Sequence, residues 1–205
     1  MARLAKIEPE DWDPRLQAAL KPQDRTPLEQ GLMRYFAHTP DLALGVGALG
    51  GALKRHRTLP DRLVELVRLR VAFHNQCRSC MAIRYDVAVQ DGVDEALVCQ
   101  LEQPEAAPDL TPAERAALRF ADLFATNHLA ISDAEIEKLR AHFSEAEIVE
   151  LGLNVSIFVG LGRFSAICDM TDELPERFRD RSEAVVPWGP DAILVERLDG
   201  EPAAV

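Results

Sequence analysis

The sequence is short of basic residues, which argues against one large class of binding proteins. It has 23 lysine and arginine residues against 34 aspartate and glutamate residues, giving a formal net charge of -11. Binding to nucleic acid needs a basic face that meets the phosphates, and no such face is evident here. We therefore expect no nucleic-acid partner.

The sequence also shows little that would direct the chain to a membrane. No apolar run reaches the roughly 18 residues that a membrane-spanning helix requires. The segment 1–10 has no hydrophobic stretch of the kind that a secretory signal contains. We expect a cytoplasmic protein with no membrane partner.

Sustained alternation of apolar and polar residues is lacking, so no sheet core is predicted. Helix signals are frequent instead, and they predict an all-α fold. Three segments have the capping-box pattern of Ser or Thr followed three residues later by Glu: Thr111–Glu114, Ser132–Glu135 and Ser144–Glu147. The last of these opens a run to about Cys168, and further helices are predicted over 28–37, 42–53, 60–73, 77–90 and 94–101.

With 205 residues, 47% of them hydrophobic, the chain can bury a sizeable core. We divide it into an N-terminal helical segment (1–41), a core (42–170) and a C-terminal extension (171–205). The extension contains Trp188 and the apolar run 193–195, so we expect it to dock on its own core or, as we favour, on a neighbouring subunit.

A shift of 85 residues aligns two parts of the chain. Leu63–Leu66 then falls on Ile148–Leu151, and Cys77 and Cys80 fall on Gly162 and Ser165. The alternative is a chance similarity between two helices, because both segments are apolar. A genuine duplication would produce two similar helical hairpins, of which only the first keeps the thiols.

Four cysteines are present, and two of them form the sequence Cys77-Arg78-Ser79-Cys80. Cys99 and Cys168 have apolar neighbours and are interpreted as core residues. A Cys-x-x-Cys pair at a helix start favours the thiolate, which is the nucleophile in peroxide reduction and in disulfide exchange. The pair could alternatively be two ordinary helix cysteines. A metal site with His74 is also conceivable, but zinc needs a fourth ligand, so we predict none.

Glu65 is the second unusual residue, because its helical neighbours place it at the edge of an apolar stripe. A half-buried carboxylate can exchange a proton near neutral pH. The alternative is an ordinary salt bridge to Arg62 or Arg68 on the same helix face.

Cys77 lies twelve positions after Glu65, and Cys80 lies three positions later. Together with the residues that follow Glu65, this spacing resembles the core motif of the alkylhydroperoxidase-D-like (AhpD-like) branch of the carboxymuconolactone decarboxylase superfamily. The resemblance extends over about Leu42–Met170 and includes the segments 65–72, 88–93 and 143–151.

That resemblance implies an all-helical AhpD-like fold, a homo-oligomer and the reduction of hydroperoxides without a cofactor. Cys80 would be the peroxide-reactive thiolate, Cys77 the more exposed resolving partner, and Glu65 part of a proton relay. A thiol reductant protein would then restore the dithiol.

One position departs from the family pattern, which has a histidine four residues after the second cysteine. Here that residue is Arg84, which stays protonated and cannot shuttle a proton. The relay could be rerouted through His74 or His128, and Arg84 could instead hold Cys80 as thiolate or pair with Glu65.

Three functions therefore compete. A dithiol oxidoreductase, or peroxidase, is preferred on the glutamate–dithiol spacing. Decarboxylase-like catalysis on a small organic acid or lactone would need acid–base residues rather than thiols. A redox-sensing or ligand-binding protein with weak catalysis is made plausible by Arg84.

Overall fold

The structure is a computed structural model that describes residues 3–180, 182, 184–189 and 191–195. Within these residues the fold consists of α-helices joined by short loops, which confirms the predicted all-α class, plus one small two-stranded sheet. The helices are α1 (Pro14–Leu20), α2 (Pro27–Gln30), α3 (Met33–Phe36), α4 (Pro40–Arg55), α5 (Asp61–Asn75), α6 (Arg78–Ala82), α7 (Asp86–Gln90), α8 (Glu95–Gln100), α9 (Pro112–Thr126), α10 (Asp133–Arg140), α11 (Glu145–Cys168) and α12 (Glu176–Arg179). The strands are β1 (Ile83–Tyr85) and β2 (Ile193–Val195), and 3₁₀ turns lie at Pro9–Asp11, Pro22–Asp24, Pro104–Ala106 and His128–Ala130.

The predicted capping motifs mark the starts of three helices. Thr111 and Ser144 each form both hydrogen bonds of a capping box, at the starts of α9 and α11. Ser132 occupies the cap position of α10, but its side chain makes no cap hydrogen bond. The position of a cap was thus predictable in all three cases, and its hydrogen bonding in two.

Two predicted helices are wrong in their continuity. The first, over 28–37, is divided into α2 and α3 at Gly31, whose φ of +44° is incompatible with a right-handed helix. The second, over 77–90, is divided into α6, β1 and α7. Arg68 accounts for the second break, because its guanidinium binds the carbonyls of Cys80 and Ile83 and so removes them from a continuing helix.

Helix α5 lies at the centre of the fold. Nine of its fifteen residues are buried, and it packs against both α9 and α11. The main core cluster joins these three helices to α8, through side chains such as Leu66, Val98, Leu118 and Leu151. The dithiol directly follows α5, so this packing fixes its place in the interior.

The two aligned segments differ in structure. In the first, α5 ends at Asn75, and Gln76 adopts the left-handed region with φ of +50° before α6 begins. In the second, α11 continues unbroken through Gly162 and Ser165. The second segment therefore does not repeat the break that precedes the thiols in the first. Instead the two segments pack on each other, and the Asn75 side chain donates to the Phe158 carbonyl at 2.8 Å.

Helix α11 also corrects the expectation that no segment is apolar enough for a membrane span. By length and composition alone it could cross a membrane, because Arg163 and a few small polar residues do not offset its apolar neighbours. Core helices pass the same test. A third of the relevant window is buried inside the fold, and the helix packs against α5 and α9.

The described part of the C-terminal extension packs on its own chain. Strand β2 pairs in parallel with β1, with Leu194 opposite Arg84. The Trp188 ring contacts the Phe73 ring with centroids 5.1 Å apart. Arg78 donates to the backbone carbonyls of Phe178 and Asp180. Residues 196–205, the end of the predicted arm, lie outside the described residues.

Candidate functional site

The dithiol lies at the junction of α5 and α6, where a disulfide joins Cys77 to Cys80. Gln76 shapes the junction, because its side-chain amide binds the Phe73 carbonyl and both backbone polar groups of Val185. Cys77 forms the N-cap of α6, and its Sγ accepts a hydrogen bond from the Cys80 backbone N–H at 3.4 Å. The pair thus stands at a helix start, as the sequence predicts.

Access to the two sulfurs is unequal. Cys77 has 0% exposed surface, whereas Cys80 is only partly buried and lines a cavity. The expectation that Cys77 is the more exposed partner is therefore wrong. The extension explains this burial, because it holds both chain neighbours of Cys77: Gln76 binds Val185, and Arg78 binds the carbonyl of Phe178.

The cavity beside Cys80 has a volume of about 190 Å³ and is enclosed mainly by apolar side chains. Leu28, Leu53, Ile157 and Leu161 bring α2, α4 and α11 to its wall. Its polar lining includes Glu65, Arg68, Ser79, Tyr85 and Ser165. Pockets for drug-sized ligands measure roughly 300 to 1,000 Å³, so this space fits a smaller organic molecule.

Glu65 and Cys80 line the same cavity, and Glu65 is only 4% exposed. Both of its carboxylate oxygens accept hydrogen bonds from Arg68, each at 2.7 Å. The salt-bridge alternative with Arg68 is therefore the observed one. The two hydrogen bonds hold the carboxylate against the Arg68 guanidinium.

Arg68 is a site residue that the sequence suggested only as a salt-bridge partner. Burial works against its charge, but the neighbouring Glu65 carboxylate outweighs burial and raises the pKa of Arg68 above its usual range. The guanidinium also donates to the Cys80 carbonyl at 2.6 Å and lies over the Tyr85 ring, 5.0 Å from its centroid. Arg68 thereby links the carboxylate to the backbone of the dithiol.

Arg84 neither pairs with Glu65 nor holds the Cys80 sulfur. It is 3% exposed and forms an ion pair with Glu95 at 2.8 Å. Its remaining hydrogen bonds go to backbone carbonyls, including that of Pro187 at 2.6 Å. Where the family places a proton-carrying histidine, this chain has a residue that fastens the extension.

Neither histidine proposed for the relay is among the described residues that line the cavity. His74 Nε2 lies 2.6 Å from the Asp122 carboxylate, which also accepts from Arg70. His128 is exposed in the turn after α9. The sequence-based relay through either residue therefore gains no support from their positions.

Two buried hydroxyl groups beside Cys77 were not singled out from the sequence. The Ser79 Oγ lies 3.7 Å from the Cys77 Sγ and 3.2 Å from the Ser165 Oγ. The 85-residue shift already places Ser165 in the position of Cys80. It does not reveal that the two matched segments face each other.

The described residues contain no group of three His, Cys, Asp or Glu side chains placed to hold a metal ion. The metal ligands considered from the sequence do not form one site, because His74 binds Asp122 while Cys77 and Cys80 are joined in a disulfide. The cavity lining also includes charged residues of the N-terminal half, among them Asp24, Arg25, Lys54 and Arg57.

The site thus combines a helical fold with a Cys-x-x-Cys pair that has one sulfur on a cavity wall. Residues 40–123, which include α4 to the middle of α9 and the dithiol, match the sequence model of the carboxymuconolactone decarboxylase family. Through this segment the chain is similar to the carboxymuconolactone decarboxylase family, and its fold matches that of AhpD-like structures.

Similar proteins include two uncharacterized proteins from Mycobacterium tuberculosis strains, each 36% identical over 58% of this chain. The match spans 42% of the length of these relatives. A solved structure from Ralstonia eutropha, described as an AhpD core and uncharacterized peroxidase-related protein, has a TM-score of 0.71 at 21% identity, covering 87% of this chain and 94% of that one. A protein of unknown function from Agrobacterium tumefaciens, whose description names AhpD, has a TM-score of 0.58 at 25% identity, covering 69% and 97%.

Proposed function

We propose that this protein is a cofactor-free dithiol oxidoreductase that reduces hydroperoxides. The observation that carries the proposal is the Cys77–Cys80 disulfide, with Cys80 on the wall of a small apolar cavity that Glu65 also lines. Cys77 is buried directly behind it, as suits a partner that reacts only inside the protein.

In the proposed reaction the Cys80 thiolate attacks the terminal oxygen of an organic hydroperoxide. The O–O bond breaks, the alkoxide takes a proton and leaves as alcohol, and Cys80 becomes a sulfenic acid. The Cys77 thiolate then attacks the Cys80 sulfur, the S–O bond breaks, and water leaves as the disulfide forms. A thiol reductant protein supplies the two electrons that restore the dithiol.

Glu65 keeps its proposed place in proton transfer, in a state in which Arg68 has released one carboxylate oxygen. We assign no proton transfer to Arg84, His74 or His128. Arg84 is paired with Glu95, the His74 ring is bound to Asp122, and His128 is exposed away from the cavity lining. A homo-oligomer in the cytoplasm is part of the same proposal, since a reducing compartment would keep the dithiol available.

The test is hydroperoxide consumption with a dithiol as reductant. We expect Cys80→Ser to reduce turnover at least 100-fold, because the attacking sulfur is removed. We expect Cys77→Ser to leave Cys80 as a sulfenic acid or as a mixed disulfide with the reductant, because the resolving sulfur is missing. Cys99→Ser is the matched control, since Cys99 is an exposed free cysteine, contrary to its interpretation as a core residue. Wild-type turnover by the Cys80→Ser variant would overturn the proposal.

A redox-sensing role is a second candidate, favoured by the structural use of Arg84 at the position of the expected histidine. In this case the dithiol would oxidise but cycle slowly. Repeated fast turnovers under excess reductant would exclude it, and a single oxidation per dithiol would support it.

A further inference from the structure

We infer that Ser79 and Ser165 are positioning residues that hold Cys77 as the leaving thiolate, so that an external thiol reduces the disulfide by attacking Cys80. The inference rests on the proposed dithiol chemistry. It specifies which sulfur receives the reductant and which residues stabilise the other.

The two serines form a buried chain of hydroxyl groups that ends at the Cys77 sulfur. Ser79 is 6% exposed and Ser165 is 5% exposed. Ser165 Oγ lies 3.2 Å from Ser79 Oγ, which lies 3.7 Å from Cys77 Sγ. The Ser165 hydroxyl also lies 3.9 Å from the Met170 Sδ, to which it can donate instead. When Ser165 donates to Ser79, the proton of Ser79 is available to the sulfur.

A thiolate at Cys77 needs such donors because it forms without access to solvent. An unpaired charge in the protein interior carries a large desolvation penalty. Besides Ser79, the Cys80 backbone N–H points at the same sulfur, at 3.4 Å. Two donors therefore meet the sulfur that would carry the negative charge, and hydrogen bonds to charged groups are the stronger ones.

Access determines the direction of attack. Only Cys80 lines the cavity, while Cys77 has no exposed surface and is flanked by residues that the extension holds. An incoming thiolate therefore reaches the Cys80 sulfur first. Its sulfur bonds to Cys80 Sγ, the Cys77–Cys80 bond breaks, and the electron pair stays on Cys77 Sγ. A second thiol of the reductant then displaces Cys80, leaving the dithiol reduced and the reductant oxidised.

The reduction potential of the disulfide tests the role of the hydroxyls. With dithiothreitol as the probe, we expect Ser79→Ala to lower the equilibrium constant for reduction about tenfold, equivalent to about 30 mV, because the reduced form loses a donor. Ser165→Ala should lower it about threefold, because Ser79 loses its partner. Ser79→Thr, which keeps a hydroxyl, should retain the wild-type value.

Ser156→Ala is the matched control. Ser156 is an exposed serine of α11 whose hydroxyl donates to the Gly152 carbonyl at 2.7 Å, and its loss should leave the potential unchanged. If Ser79→Ala proves too unstable to purify, Ser165→Ala provides the same test, with the smaller, threefold decrease in the equilibrium constant for reduction. An unchanged potential in the serine variants, or an equal shift in Ser156→Ala, would overturn the inference.

Trapping the mixed disulfide tests the direction of attack. The oxidised protein is reacted briefly with a monothiol such as 2-mercaptoethanol, blocked with an alkylating reagent and mapped by mass spectrometry. The thiol adduct should be on Cys80 and the alkyl group on Cys77, whereas the reverse would overturn the inference. A shifted potential without any peroxide turnover would refute the proposed function alone, and turnover with an unshifted potential would refute this inference alone.

Discussion

The segment that carries the dithiol and the segment of α11 that aligns with it share a motif but use it differently. Glu65 in the first is buried and pairs with Arg68, whereas Glu150 in the second accepts hydrogen bonds from the backbone N–H groups of Thr58 and Leu59, just before α5. The first segment breaks at Gln76, and the second continues as one helix.

The difference gives the two segments separate roles: the first carries the thiols, and the second supports it by packing. At the positions of the two cysteines, α11 has Gly162 and Ser165, both buried. Gly162 allows close contact, because a Cβ there would lie 2.5 Å from the Asn75 Nδ2. Ser165 faces Ser79 instead of a sulfur. The segment without thiols therefore forms the wall against which the thiol-bearing segment is held.

The largest expected effect is the difference between two single variants, in which glutamine replaces one or the other of the aligned glutamates. Glu65→Gln should lower the free energy of unfolding by about 3 kcal/mol or more, because it leaves the buried Arg68 guanidinium without a counter-charge. Glu150→Gln should cost only about 1 kcal/mol, as for the loss of a helix cap. Urea denaturation of both variants measures the two values, and equal losses would remove the distinction between the segments.

Gly162 tests whether the close approach of α11 to α5 matters for stability. Gly162→Ala should cost about 1 to 3 kcal/mol, because the added methyl group collides with Asn75, which is fixed by its hydrogen bond to Phe158. Gly160→Ala is the control in the same helix. Among the described residues, no atom beyond the local helix backbone lies within 4 Å of a Cβ at Gly160, so this change should stabilise the helix by about 0.5 to 1 kcal/mol. The prediction would be contradicted if the free energy of unfolding changed in the same direction in both variants.

A smaller effect is expected at Asp122, whose partners Arg70 and His74 both align with valines of α11, Val155 and Val159. Burial alone would raise the pKa of Asp122, but hydrogen bonds from His74 and Arg70 outweigh it and hold that pKa below its usual value. Because the folded pKa is the lower one, the stabilisation is complete at neutral pH and is lost as the pH falls below about 4.

The Asp122→Asn variant should therefore lose about 1 kcal/mol at pH 7 and differ less from the wild type as the pH falls toward 3. Thermal unfolding across pH 3 to 7 measures this convergence. A constant difference between the two proteins over that range would show that the carboxylate charge is not what Asp122 contributes.

Local sequence signals predicted the parts of the fold that local hydrogen bonds determine. Thr111 and Ser144 begin helices with complete capping boxes. Glu65 lies in a helix and the dithiol lies at the start of the next helix, as the sequence predicts. The break after Ala82 was not predictable in this way. It depends on Arg68, which reaches across from α5 to bind carbonyls at the end of α6.

The sequence brought Cys80 and Glu65 together as candidates but did not predict the arrangement around them. Cys80 and Glu65 do share a cavity, yet the burial of Cys77 depends on an extension about 100 residues further along the chain. Likewise, the contact between Ser79 and Ser165 arises from the packing of α11 on α5, which no short window of sequence specifies.

The way in which the extension is fastened has a consequence for how its sequence can change. Gln76, Arg78 and Arg84 all bind it through backbone atoms, at Val185, Phe178, Asp180 and Pro187. At these points the dithiol segment recognises the path of the chain and not the identity of its side chains. These hydrogen bonds therefore place no requirement on the side chains at the four contacts, and Phe178 and Val185 are constrained instead by their burial in a core cluster.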